Sequence, residues 1–270
     1  MYWYDGKLIE QDTLQISIND PGLLYGATVF TTMRVYEQSL AHPLTHWQAH
    51  CDRINQSIQA FKWQQPDWQK LKQGAKLLLT HYPILRIAVL PDGRELIAGR
   101  NLPADLPARQ QQGISAWVAE DNLFHRTLTA YKTGNYLGSY LALQKAHQLG
   151  AKEAILVDSN GNWLETSTGN LWGWRDRCWY TPALSVGILP GIIRGQLLTW
   201  LRSQNIPVEE NIWNPQFVSS LEFIAYTNCV VEIVAITKVI NFKANFNQSI
   251  YIKHIRDFNN YFFKNTIFST

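Results

Sequence analysis

Strand-type and helix-type segments alternate along this chain in two groups, and that alternation restricts it to a mixed α/β architecture. In the first group a short hairpin centres on Asp5-Gly6 and a turn on Asn19-Asp20-Pro21-Gly22. The string Val29-Phe30-Thr31-Thr32-Met33-Arg34-Val35-Tyr36 then has the β-branched and aromatic content of a strand. Thr45 is the expected cap of a helix over residues 46–61, where Ile54, Ile58 and Phe61 recur at helical spacing. A second helix is expected over residues 68–79, followed by an apolar strand over 84–90 that the turn Pro91-Asp92-Gly93 stops. Residues 101–113 are rich in Pro, Ala, Gln and Arg without periodicity and read as a loop leading to a strand at 114–118.

The second group begins with a helix over 136–149, closed by Gly150, so that Lys132 stands just before a helix. Residues 154–158, the turn Ser159-Asn160-Gly161-Asn162 and Trp163-Leu164-Glu165 make a hairpin that delivers Glu165 at a strand end. A further hairpin pairs 171–174 with 178–181, and Pro190-Gly191 opens a helix over 192–203. These patterns predict an N-terminal α/β domain over 1–118, a linker over 119–128 and a C-terminal domain over 129–270. Residues 250–263 have the pattern of a terminal helix, and no function is assigned to the segment from Asn241.

Composition narrows the partners. The net charge is +3 and the cations are scattered among acids, which argues against nucleic acid. Cys51, Cys178 and Cys229 are far apart and odd in number, so neither a disulfide framework nor a zinc site is indicated, and a reducing cytoplasm fits. The first residues lack a basic stretch followed by an apolar one, which does not support a secretory signal. The long apolar stretches 77–90 and 223–240 are broken by His81, Pro83 and Arg86 in one and by Asn228 and Glu232 in the other; they read as buried core, with no membrane span. His46 and His50 lie four apart on the expected helix, but Trp47 stands where a zinc peptidase carries Glu, and no metal site is expected.

Three strings carry chemistry: Lys132-Thr133-Gly134-Asn135-Tyr136-Leu137, Leu164-Glu165-Thr166-Ser167-Thr168-Gly169-Asn170 and Gly187-Ile188-Leu189-Pro190-Gly191-Ile192-Ile193-Arg194. Singly they are a surface lysine, a solvent-facing carboxylate and helix punctuation. Together they supply an amine for a Schiff base, an acid for a ring nitrogen and a helix start for a phosphate, the parts of a pyridoxal phosphate site.

In this order the strings resemble the fold-type IV pyridoxal phosphate enzymes: branched-chain aminotransferases, D-amino acid aminotransferases and aminodeoxychorismate lyases. The resemblance spans roughly residues 1–240 and includes Asn19-Asp20-Pro21-Gly22-Leu23-Leu24-Tyr25-Gly26, His50-Cys51-Asp52-Arg53 and Tyr226-Thr227-Asn228. It implies two α/β domains with pyridoxal 5'-phosphate between them, usually in a homodimer acting on a small molecule. By the same resemblance Lys132 is the Schiff-base amine and later the proton carrier, and Glu165 is the acid beside the pyridine nitrogen. Arg53 is the phosphate arginine, whose fork suits a dianion. Backbone N–H groups of Ile192 and Ile193 add to the phosphate site, Thr227 and Asn228 close it, and Tyr136 bonds the phenolic oxygen of the cofactor. Tyr25, Thr32 and Arg34 are candidate substrate residues.

Two features tilt the resemblance toward a lyase that eliminates pyruvate from 4-amino-4-deoxychorismate to give 4-aminobenzoate, a folate precursor. Tyr226-Thr227-Asn228 stands where branched-chain enzymes usually read Gly-Thr-Ala, and Thr31-Thr32 stands where they commonly place Glu-Gly. A branched-chain or D-amino acid aminotransferase is the alternative, and a noncatalytic protein of the same fold a further one. Ala27-Thr28 and Lys238-Val239 depart from the family's usual pairs, at positions that bear on substrate geometry.

Overall fold

A computed structural model describes residues 1–243, 246 and 257–262. Among these, residues 1–103 and 131–135 form one compact unit, and 104–130 with 136–262 form another.

The first unit contains β1 (Tyr2–Tyr4), β2 (Lys7–Ile9), α1 (Pro21–Tyr25), β3 (Val29–Arg34), α2 (Trp47–Phe61), α3 (Trp68–Leu78), β4 (Ile84–Val89) and β5 (Glu95–Arg100). The strands form one antiparallel sheet in the order β2-β1-β5-β4-β3. Asp5 and Gly6 join β1 to β2 with φ of 46° and 77°, the paired left-handed conformation that a two-residue hairpin turn needs. Alternation then sorts the sheet. Trp3, Val29, Met33, Leu85, Ile87, Val89 and Ile97 face a core shared with Ile54 and Ile58 of α2 and with Leu71, Ala75 and Leu78 of α3. Each fully buried Ile or Leu here contributes about 1.5–3 kcal/mol relative to exposure. The register pairs Phe30 with Ala88 and Thr32 with Arg86, which puts both pairs on the face turned away from α2 and α3.

The second unit contains α4 (Leu106–Gln112), β6 (Ile114–Ala119), α5 (Leu137–Gln148), β7 (Glu153–Val157), β8 (Trp163–Thr166), β9 (Asn170–Arg175), β10 (Cys178–Pro182), α6 (Ile192–Ser203), β11 (Val208–Asn211), α7 (Pro215–Ser219), β12 (Phe223–Asn228) and β13 (Glu232–Val239). Residues 257–262 are helical. The eight strands run β11-β10-β9-β12-β13-β6-β7-β8, with parallel pairs at β10/β11, β13/β6 and β6/β7. Ala142 and Ala146 of α5 are small enough to seat the helix against Ala119, Ala154 and Leu156. Trp163, Trp172, Trp179 and Trp213 are buried, and Phe258 of the last helix packs on Trp172 and Trp179.

Several expectations need correction. The division falls after Pro103, not within 119–128, because β6 lies between β13 and β7 and is held by strands far away in sequence. Residues 131–135 rejoin the first unit because Thr133 bridges Val29. Thr45 does not cap α2. Pro43 opens a tight 3-10 turn, closed by His42 Nδ1 accepting from the Leu44 N–H, and Thr45 ends that turn with its hydroxyl donating to the Ser39 carbonyl at 2.9 Å. His46 precedes the helix in left-handed backbone without a side-chain cap. The expected loop over 101–113 contains α4, and β5 follows the Pro91-Asp92-Gly93 turn without having been anticipated. Of the expected terminal helix, 257–262 is helical, and 250–256 with 263 lie outside the described residues.

Candidate active site

In the first unit, Lys132 does not belong to a helix. Its carbonyl accepts from the Phe30 N–H at 2.8 Å, Thr133 bridges Val29, and the Gly134 N–H donates to the Thr28 carbonyl at 2.7 Å, so residues 132–134 run along the start of β3. A Cβ on Gly134 would stand 2.4 Å from Thr28 Oγ1 and 2.5 Å from the Gly26 carbonyl; the glycine of the lysine string is needed for this approach. Lys132 Nζ lies 4.8 Å from the centre of the Phe30 ring, and the Arg86 guanidinium lies 3.6 Å from the same ring. Arg53 of α2 donates through Nη2 to Thr31 Oγ1 at 2.5 Å, and that hydroxyl also bonds His50 Nδ1 at 2.5 Å. His50 is 1% exposed, and burial with the neighbouring Arg53 and Lys132 cations holds its pKa well below the ordinary value.

In the second unit, Glu165 is the last residue but one of β8 and is buried. Arg126 Nη1 donates to its Oε1, while Oε2 accepts from the Leu189 N–H at 3.2 Å and from Asn170 Nδ2 at 3.4 Å. Asn170 also donates to the Leu189 carbonyl at 2.9 Å, which ties the carboxylate to the segment entering α6. A Cβ on Gly191 would stand 1.9 Å from Asn170 Oδ1. Gly191 caps α6 without a side-chain bond, and among the described residues no side-chain bond is made to the first N–H groups of this twelve-residue helix, those of Ile192 and Ile193 among them. A cavity of about 280 Å³ beside Glu165 and Arg126 is lined also by Thr129, Val186 and Gly187. The buried carboxylate and the uncapped helix start fit the ring nitrogen and phosphate of pyridoxal phosphate.

The model of the family "Amino-transferase class IV" matches residues 28–239. The chain belongs to the class IV aminotransferase family. Its members work with pyridoxal phosphate, and the chain is an enzyme of this kind. A branched-chain-amino-acid aminotransferase of Escherichia coli is 23% identical over 261 residues, covering 88% of this chain and 84% of that one. An aminodeoxychorismate lyase of Vibrio harveyi is 24% identical over 225 residues, covering 77% and 80%. The solved branched-chain aminotransferase of Thermoproteus uzoniensis superposes with a TM-score of 0.79 at 20% identity over 96% of this chain and 93% of that one, which shows the shared fold-type IV architecture. Among the described residues no helix is long and apolar enough to cross a membrane, and no cluster of His, Cys, Asp and Glu is arranged to hold a metal.

Within this class IV enzyme, the remaining expected residues divide. Tyr136 is the residue preceding α5, not one on its face, and its hydroxyl donates to the Ser167 carbonyl. Thr227 is 1% exposed with its hydroxyl accepting from Trp172 Nε1 at 3.0 Å, so its side chain is turned into the core. Asn228 closes the turn after β12: Oδ1 accepts from the Val230 and Val231 N–H groups at 2.8 and 3.0 Å, and Nδ2 donates to the Thr168 carbonyl at 3.3 Å. Tyr25 ends α1 and is 76% exposed, whereas Thr32 and Arg34 lie on β3, where Arg34 stacks on Tyr36 at 4.8 Å. Sequence reasoning missed Arg126, 39 residues from its carboxylate partner, and Arg86; only the strand register, which sets Arg86 opposite Thr32, reveals the latter.

Proposed function

We propose that this class IV enzyme is a 4-amino-4-deoxychorismate lyase. The observation that carries the reading is Asn228. Its carboxamide makes four hydrogen bonds around the turn that follows β12, none of which the alanine of a Gly-Thr-Ala loop can make, so this turn is built differently from that of the branched-chain enzymes it resembles. Thr32 beside Arg86 is a second support, since it sets a hydroxyl next to a cation suited to the carboxylates of such a substrate.

Pyridoxal phosphate, when bound, supplies an aldehyde that reacts with amines and a pyridine ring that accepts electrons. Lys132 would be the amine that meets that aldehyde and the base that removes the proton from the substrate carbon bearing the amino group. Glu165, bonded by Arg126, would stand at the pyridine nitrogen as the acid that keeps it protonated. Arg53 and the N–H groups opening α6 hold the phosphate. The C–O bond to the enolpyruvyl group would then break with its electrons on the oxygen, the departing enolate would take up the proton removed from the ring to become pyruvate, and the ring would become aromatic.

The test offers aminodeoxychorismate to the purified enzyme with no keto acid present. Equimolar 4-aminobenzoate and pyruvate is the expected result. Turnover only when leucine or D-alanine is paired with 2-oxoglutarate would replace the lyase by an aminotransferase.

A further inference from the structure

Thr31 lies on the face of β3 that meets α2, completely buried, while its neighbour Thr32 lies on the opposite face. The two threonines that resemble the lyase pair therefore have separate tasks. His50 and Arg53, three apart on α2, point from one side of the helix to the same Thr31 hydroxyl.

The proton positions in this chain of three follow from the chemistry of its members. A guanidinium only donates, so Thr31 Oγ1 accepts from Arg53. Thr31 has one proton to give, and His50 Nδ1 is the acceptor within reach. His50 is then neutral with its proton on Nε2, which agrees with its burial and with the Arg53 and Lys132 cations around it. A charged His50 would present a second N–H to the same oxygen and displace the threonine proton. The neutral imidazole thus keeps a lone pair of Thr31 turned toward Arg53.

We propose that Thr31 and His50 are positioning residues that orient the Arg53 guanidinium toward the cofactor phosphate. The inference rests on the reading of Arg53 as a phosphate residue and adds what holds it. Because the guanidinium is a rigid plane, fixing Nη2 on Thr31 fixes the direction of the whole fork. An arginine on a long stem would otherwise distribute its donors over many directions, and a bidentate grip depends on direction.

The test compares the apo-enzyme's affinity for pyridoxal phosphate with that for pyridoxal, which lacks the phosphate. Thr31→Val should weaken pyridoxal phosphate about tenfold, the scale of one lost hydrogen bond to a charged group, and leave pyridoxal unchanged; Thr31→Ser should stay close to wild type. In an Arg53→Met background the Thr31→Val effect should vanish. His50→Leu should act like Thr31→Val, and His50→Asn, whose Oδ1 can accept in place of Nδ1, should restore binding; this pair serves if the valine variant does not fold. Equal weakening of both ligands, or full additivity with Arg53→Met, would overturn the proposal and leave Thr31 and His50 as packing residues. If Arg53→Met itself spares the preference for the phosphate form, the reading of Arg53 fails, and the proposal with it.

Discussion

The two units supply opposite chemistry. Proposed site residues of the first are cations on long stems: Lys132 anchored by its backbone along β3, Arg53 fastened to a buried hydroxyl, and Arg86 over a ring. Those of the second are a short buried carboxylate and backbone N–H groups, and Glu165 has both oxygens engaged by Arg126, Leu189 and Asn170. A cation on a flexible stem can react and move; a carboxylate on a strand end, bonded on both oxygens, can only act electrostatically. Activity should therefore depend most steeply on the first unit, and stability on the integrity of the second.

The largest effect is expected at Lys132. Lys132→Ala should lower kcat about 10³-fold, the range for loss of a proton-transfer group, with little change in a denaturation midpoint. Glu165→Gln should lower kcat less and also cost about 3 kcal/mol in a denaturant titration, because it leaves the half-buried Arg126 charge without its carboxylate. A glutamine variant as stable as wild type would break the contrast between the units.

Gly134→Ala tests the close approach that places Lys132. The added methyl meets a backbone carbonyl that cannot swing aside, and roughly 1–3 kcal/mol should be lost. Thermal unfolding of the purified variant measures it.

The pH dependence of stability should differ in sign between the units. His50 stays neutral when folded, so below its ordinary value of 6.5 the unfolded chain takes up a proton that the folded one refuses. Stability should fall as the pH drops below 6.5, by at most about 1.4 kcal/mol per pH unit. His46, lowered to about 4 mainly by burial, adds to the slope between 6.5 and 4. Glu153 of the second unit runs the other way. Burial raises its pKa, although Ser167, Thr168 and the Ala154 N–H donate to it. Its contribution is present at pH below 4.5 and is lost as the pH rises through the raised value. His50→Asn should flatten the acid limb in a series of denaturant titrations, and Glu153→Gln should not.

The smallest effect is a gain. Gly195 is exposed within α6, and a methyl added there would meet nothing within 4 Å, so Gly195→Ala should stabilise by about 0.5–1 kcal/mol, again by thermal unfolding.

Local order was legible where it is local in origin. The Asp5-Gly6 hairpin, the helix starting at Ile192 and the paired strands β9 and β10 follow from turn residues and periodicity within a few positions. The strings around Lys132, Glu165 and Gly191 were legible because each needs a backbone approach that only glycine permits, or a donor that only one residue type supplies. Thr45 misled because a capping residue looks the same whether it ends a 3-10 turn or starts a helix. The 119–128 boundary misled because β6 has no turn signal to announce partners 37 and about 120 positions away.

By itself the sequence determined a mixed α/β chain with an amine, an acid and a helix start in the order of a class IV pyridoxal phosphate enzyme. Only the tertiary structure decided what holds each group. It set Thr31 and His50 behind Arg53, Arg126 on Glu165, and the Thr227 side chain in the core with Asn228 bracing a turn. The reason is range. Propensity and spacing act over a few residues, whereas a buried hydroxyl or carboxylate takes whichever donor the packing brings within hydrogen-bond distance, and that donor comes from anywhere in the chain.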